Sequence, residues 1–328
     1  MRFVLMTEPQ QGMSYADQLA SARHAEASGF EAWFRSDHYA SFPGAAGQPT
    51  TDAWTVLAGL ARETERIGLG VLVSPVTFRH PGVLAKVVTT VDWMSGGRVE
   101  VGVGAGWNAA DHTELGLAFP PIGERADLLE DQLAMLQGLW GEPDGWTYAG
   151  RSGLQVEGSL FRPRPVEVAG RPTTAVGGSR PRIIVGGQGS PRSFRLAAAF
   201  ADEFNVSSKS PADVTAVFAK LDEACAAIGR DPATLARSAM VGTLVGATEA
   251  ELARREQDIL ERFGIADDGA AWLDERRPRW ILGLPDAARE TVRAYAAVGV
   301  ERLVLQVHIP WDLDHVDLLG DVLVSAPV

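Results

Sequence analysis

Three segments of this chain carry residue types that could do chemistry together. The first is Arg35-Ser36-Asp37-His38-Tyr39. Imidazole titrates close to neutrality, so His38 could take or give a proton, with Asp37 fixing the orientation of its ring. The plainer reading is a loop closed by an Asp hydrogen bond beside a surface histidine. The second segment is Ile183-Ile184-Val185-Gly186-Gly187-Gln188-Gly189-Ser190-Pro191-Arg192, an apolar run that turns through glycines into Ser and Pro, residues that open helices. Free N–H groups at a helix start, reinforced by the helix dipole, would cradle a phosphate. An ordinary capped helix would use the same residues. In the third, Gly102-Val103-Gly104-Ala105-Gly106-Trp107-Asn108, alternate glycines let a ligand approach the backbone and put Trp107 and Asn108 at its edge.

Other candidates are weaker. Arg79 and His80 lie between Pro75 and Pro81 in a stiff turn and read as caps. Asn205 lies near the end of one apolar run and Gln306 near the end of another, which His308 and Trp311 follow, where His308 reads as a packing histidine. The six histidines show no i, i+4 pair, Cys225 is the single cysteine, and no Gly-x-Ser-x-Gly elbow occurs. Metal, disulfide and acyl-transfer chemistry are therefore not expected.

These residues need elements to position them. Short apolar runs at Arg2–Met6, Ala32–Arg35, Ile67–Val73, Val99–Val103, Arg182–Gly186, Glu203–Val206, Met240–Val245 and Arg302–Val307 read as strands buried on both faces. Helices are expected after each: Ser14–Ser28, Thr51–Arg66, Pro81–Met94, Glu124–Leu139, Pro191–Ala201, Pro211–Ile228, Glu249–Phe263, Asp286–Val298 and Asp312–Leu323. Alternation implies a parallel sheet. Eight strands, with no Gly-x-Gly-x-x-Gly after the first, favour an α/β fold of the (β/α)8 TIM-barrel type over an open doubly wound sheet. In such a barrel, side chains at the C-terminal strand ends share one rim, and all three segments above fall there. Residues 141–180, with a candidate hairpin of Trp146-Thr147-Tyr148 and Leu154-Gln155-Val156, and residues 264–284 read as insertions into a single domain spanning 1–328.

Composition narrows the function. A formal charge of −12 without clustered basic residues argues against nucleic acid or an anionic membrane as partner. No apolar run approaches a membrane span, and the N-terminus does not read as a signal peptide, so a cytoplasmic protein is expected. Of 30 basic residues only Lys86, Lys209 and Lys220 are lysines, a bias of GC-rich genomes.

Taken in order, Ser36-Asp37-His38, Thr77-Phe78-Arg79-His80-Pro81, Asp92-Trp93-Met94-Ser95-Gly96-Gly97-Arg98, Gly102 to Asn108, Gly123-Glu124-Arg125 and Ile184 to Gly189 resemble the bacterial luciferase-like family. The Ser-Gly-Gly-Arg to Gly-Ala-Gly-Trp block is the most specific part, and it looks closest to the branch that uses the deazaflavin coenzyme F420. The resemblance implies a cofactor across the barrel's C-terminal mouth, with its phosphate at Gly186, Gly187, Gln188 and Gly189. Its ring would rest near Leu72, Val73 and Ser74, where the family often carries a non-prolyl cis peptide, at Leu72-Val73 or Val73-Ser74. Gly104, Gly106, Trp107, Asn108 and Asn205 would complete the cofactor site. His38 would match the family's strand-2 histidine beside the reactive edge of the ring, with Asp37 its neighbour.

The function so implied is hydride transfer between F420 and a small organic substrate. The alternatives are an FMN-dependent monooxygenase supplied by a separate cofactor reductase, and a non-catalytic member that binds a cofactor or dimerises. The family's F420-linked sugar-phosphate dehydrogenases carry a glutamate where this chain has Trp107, which argues against a sugar-phosphate alcohol. A homodimer through the helices at Thr51–Arg66 and Pro81–Met94 is also implied. Loops 40–51 and 107–123, with the two insertions, would set substrate choice.

Overall fold

All eight expected runs form strands, because chains of small and β-branched apolar residues hide both faces only inside a covered parallel sheet. The computed structural model describes residues 1–265 and 267–325. Its strands are β1 (Arg2–Thr7), β2 (Ala32–Arg35), β3 (Gly68–Pro75), β4 (Val99–Gly104), β5 (Trp146–Ala149), β6 (Gln155–Ser159), β7 (Arg182–Gly187), β8 (Glu203–Ser207), β9 (Ala236–Val245), β10 (Ile281–Gly283) and β11 (Arg302–Val307). The helices are α1 (Tyr15–Ala27), α2 (Ala53–Glu63), α3 (Pro81–Ser95), α4 (Ala109–Thr113), α5 (Ile122–Gly141), α6 (Pro191–Phe200), α7 (Pro211–Ala227), α8 (Glu249–Arg262), α9 (Gly269–Arg276), α10 (Pro285–Ala297) and α11 (Leu313–Leu319).

The barrel runs β1-β2-β3-β4-β7-β8-β9-β11 and closes where β11 pairs with β1, Arg2 opposite Arg302 through Thr7 opposite Val307. Alternation along each strand sorts side chains to two layers. Val4, Met6, Phe34, Leu72, Ile184 and Val304 pack within the barrel, whereas Phe3, Leu5, Trp33 and Val101 belong to the larger core shared with the helices. At the strands' N-terminal end the buried Arg302 donates to Glu100 at 2.7 and 2.8 Å and to Glu203 at 3.1 Å.

Helix starts follow their caps. Ser14 and Asp17 form a reciprocal capping box on α1, and Ser190 accepts from Ser193 N–H to start α6 at Pro191. Strand β9 begins four residues before the run read from sequence, since Ala236-Arg237-Ser238-Ala239 is too polar to read as a buried strand. Its first half pairs with β8 and β11, while its end carries the extra strand β10.

The hairpin forms, with Tyr148 opposite Val156. Trp146 lies on Gly138 of α5, and Tyr148 donates to Asp131 at 2.8 Å. The 264–284 segment, of which Ala266 lies outside the described residues, holds α9 and β10. Its Trp272 and Trp280 pack with Phe263 and His308, and Trp280 fills the space beside Gly242. These tryptophans are packing, not pocket walls. Among the described residues no helix is long and apolar enough to cross a membrane.

Candidate functional site

A cavity of about 460 Å3 opens at the C-terminal ends of the barrel strands. Its wall brings together the three segments singled out by sequence: His38 after β2, Gly104 to Asn108 at and beyond the end of β4, and Gly186, Gly187 and Gln188 at and beyond the end of β7. Leu72, Val73 and Asn205 also line it. Ser74 and Gly189 do not. Ser74 is turned away from the cavity, accepting from Trp54 Nε1 at 2.8 Å and donating to Asp37 at 3.1 Å.

His38 packs edge-on against Phe42 and Trp107, with ring centroids 4.5 and 5.7 Å away. Asp37 does not orient it. The buried Asp37 carboxylate accepts instead from Arg79, whose other contacts are Tyr39 Oη and Asp52. Successive residues of an extended segment face opposite ways, so Asp37 points into the scaffold when His38 points into the cavity. The partner of His38 is Asp111 on α4, with Nδ1 2.7 Å from Oδ2. Burial pushes the Asp111 pKa up, but hydrogen bonds from His38 and from the Ala40 and Tyr39 N–H groups outweigh it and hold the carboxyl below the usual carboxylate range.

Strand β3 supplies the floor. The Leu72-Val73 peptide is cis and the pairing register with β4 shifts between Val71 and Ser74. Val73 of β3 sits between a glycine of the adjoining β4 and one of β7, the strand beyond it. A Cβ on Gly104 would lie 2.7 Å from one of its methyls, and a Cβ on Gly186 2.7 Å from the other. Only glycine fits at both places, which gives those residues a reason independent of any ligand.

At the glycine loop, Ser190 occupies the Ser193 N–H and Pro191 has none, leaving the Arg192 N–H without an intrahelical acceptor. Across the glycine-rich β4 loop, Arg125 stacks on Phe119 and donates to Gly106 O at 2.5 Å, propping Trp107 at the rim. Trp107 is 69% exposed. Among the described residues the buried Asn108 Nδ2 has no partner.

Several cavity residues escaped the sequence reading. Glu8, just past the end of β1, lies in the wall with Gln306. Its carboxylate accepts from Gln306 at 2.5 Å and from Gln10 at 2.7 Å, and Gln10 in turn accepts from Ser36 at 2.7 Å. The signal was available: an acidic residue one place beyond an apolar strand of a barrel. Asp111 had no such signal, since it sits 73 residues from His38 on α4, a helix too short to show a period. His308 stacks on Trp280 and stays out of the wall, and burial pushes its pKa down to about 4.

Among the described residues no Lys or Arg lines the cavity. Among the described residues, no group of three or more His, Cys, Asp or Glu is placed to hold a metal ion.

The sequence matches a family model described as luciferase-like monooxygenase over residues 1–306. The F420-dependent glucose-6-phosphate dehydrogenase of Nakamurella multipartita is 30% identical over 323 residues, spanning 92% of this chain and 88% of that protein. Among solved structures, an F420-dependent secondary alcohol dehydrogenase in complex with an F420-acetone adduct has a TM-score of 0.79 at 18% identity, covering 100% of this chain and 99% of that one. The oxygenating constituent of 3,6-diketocamphane monooxygenase from Pseudomonas putida, in complex with FMN, has a TM-score of 0.73 at 18% identity, covering 100% and 99%. The two structures establish the shared fold.

Proposed function

This chain belongs to the luciferase-like monooxygenase family, and we propose that it is an oxidoreductase transferring a hydride between coenzyme F420 and a small organic substrate. One observation carries the reading: His38 and the Gly186-Gly187-Gln188 turn share one cavity wall. A proton-transfer group and a helix-start anion seat on a common rim suit a redox ring with a phosphate tail.

The residues fit such a group. Met6, Leu72 and Val73 offer an apolar floor for a flat ring, the Gly186-Gly187-Gln188 turn leading into α6 would hold a phosphate, and the Asn108 Nδ2, without a partner among the described residues, is a spare donor. When bound, F420 accepts or supplies a hydride in a two-electron step. The protein's share is to hold the substrate against the rim and to move its proton. As a carbinol C–H hydride leaves and C=O forms, His38 Nε2 takes the hydroxyl proton; in reduction it returns it.

Support for F420 over FMN comes from the relative that is 30% identical over 92% of the chain, whose name specifies F420. The FMN-bound neighbour shares the fold at 18% identity. With Glu8 and Asp111 in the wall and no Lys or Arg among its described residues, an uncharged substrate suits the cavity better than a phosphate ester.

Titration of the purified protein with F420 and with FMN, followed by absorbance and fluorescence, tests the assignment. Saturable binding of F420 is expected. Binding of FMN alone would make the protein a flavin monooxygenase, and binding of neither would make it a non-catalytic member. A panel of small alcohols, ketones and sugar phosphates, scored by change in F420 absorbance, tests the substrate class. Turnover of sugar phosphates only would overturn it.

A further inference from the structure

We propose that Asp111 is a positioning residue that selects the tautomer of His38, placing the ring proton on Nδ1 and leaving Nε2 as the atom that meets the substrate. The inference rests on the proton-transfer role given to His38 above.

The geometry makes Asp111 an acceptor on every side. Its Oδ1 accepts from Tyr39 N–H at 2.8 Å and from Ala40 N–H at 2.7 Å, and its Oδ2 lies 2.7 Å from His38 Nδ1. A carboxylate holding two backbone donors has no proton of its own to give, so the contact to His38 requires Nδ1–H as donor. The neutral ring then carries its lone pair on Nε2, which hydrogen-bonds to nothing among the described residues. The Asp111 side chain is 2% exposed, so it cannot also serve as a substrate ligand.

Placement adds a second function. Asp111 sits on α4, whose N-cap Asn108 follows Trp107 directly. Its three hydrogen bonds all go to residues 38–40 after β2. One carboxylate thus ties the loop that carries the rim tryptophan to the loop that carries the imidazole. Its grip on two consecutive N–H groups fixes where His38 stands as well as which nitrogen is bare.

Asp111→Asn separates these effects. The amide oxygen can still accept from Tyr39 and Ala40, but the NH2 now faces His38 Nδ1, which must turn acceptor and send its proton to Nε2. Nitrogen NMR of 15N-histidine-labelled protein in mildly alkaline buffer reads the tautomer directly, with His38→Ala identifying the resonance. The wild type is expected as the Nδ1–H form and Asp111→Asn as the Nε2–H form. With a substrate from the panel above, kcat should fall roughly 10²-fold, within the range that general acid–base catalysis supplies, while F420 affinity holds. A wild-type His38 protonated on Nε2 overturns the proposal, and that spectrum needs no variant other than His38→Ala to fold. An unchanged tautomer in Asp111→Asn overturns it too. A switched tautomer with unchanged turnover would leave the grip of Asp111 on the ring standing and overturn the proton role of His38 instead.

Discussion

Asp37 and Arg79 form a two-point salt bridge behind the cavity, with Nη1 2.5 Å from Oδ2 and Nη2 3.3 Å from Oδ1. Neither group is free to leave. The Asp37 side chain is fully buried, and Arg79 also donates to Tyr39 Oη at 2.9 Å and to Asp52. Burial would pull the Arg79 pKa down, but the two carboxylates outweigh it and push it up.

Removing one partner therefore strands the other. Asp37→Ala should lower stability by about 3 kcal/mol, the usual cost of breaking a buried pair from one side. Denaturant unfolding monitored by tryptophan fluorescence checks it. A loss under about 0.5 kcal/mol, the size of an ordinary surface change, would show that Arg79 finds water or Asp52 sufficient.

Val73 makes a second prediction. Its methyls occupy the spaces that side chains on Gly104 and Gly186 would need. Either glycine changed to alanine should force Val73 toward the cavity, at an overpacking cost of about 1–3 kcal/mol. Cofactor affinity should fall at least about tenfold, which corresponds to about 1.4 kcal/mol. Isothermal titration of Gly186→Ala and Gly104→Ala measures this, and pairing each with Val73→Ala should restore part of the loss.

Trp107 should behave oppositely in the two assays. At 69% exposure it contributes little to the fold, so Trp107→Ala should leave the melting temperature nearly unchanged. Loss of an aromatic wall is worth about 1 kcal/mol, so ligand affinity should weaken several-fold. An affinity that does not move would remove Trp107 from the binding surface.

Acid should weaken the fold through two histidines that are held neutral. His315 Nε2 accepts from Val245 N–H at 3.0 Å, and burial, with Arg255 close by, pushes its pKa down to about 3. Burial pushes His308 down to about 4. Unfolded, both titrate near 6.5, so the unfolded chain binds more protons below that pH. Their stabilising effect is whole above about 6.5 and drains away as pH falls toward 4, at up to about 1.4 kcal/mol per pH unit for each. Unfolding midpoints between pH 7 and about 5 should show the slope, and His308→Phe, which keeps the aromatic packing, should flatten it by about half. An unchanged slope would point to other groups.

What could be read from sequence divides along physical lines. Strand and helix positions were legible because burial on both faces leaves unbroken apolar runs, and caps such as Ser14 and Ser190 mark helix starts. The rim positions of His38, Gly104 and Gly186 followed from the rule that barrel strands point their C-terminal ends to one mouth. Pairings between loops were not legible. Asp37 precedes His38 directly yet turns from it, and Asp111 reaches it from another strand's loop. Tertiary approach decides such contacts, and no local period encodes it. Strand β10 was missed for a related reason, since three residues beside a tryptophan are too few to show alternation.

The seam between β1 and β11 carries a cost during synthesis. Residues 2–7 find their second neighbour only when residues 302–307 exist, so while the intervening strands are made the emerging chain exposes a naked strand edge of apolar residues. Nascent copies on one message are thus exposed to cross-pairing until β11 leaves the ribosome. A chain rearranged to begin elsewhere in the ring would move that vulnerability to another pair of strands, not abolish it.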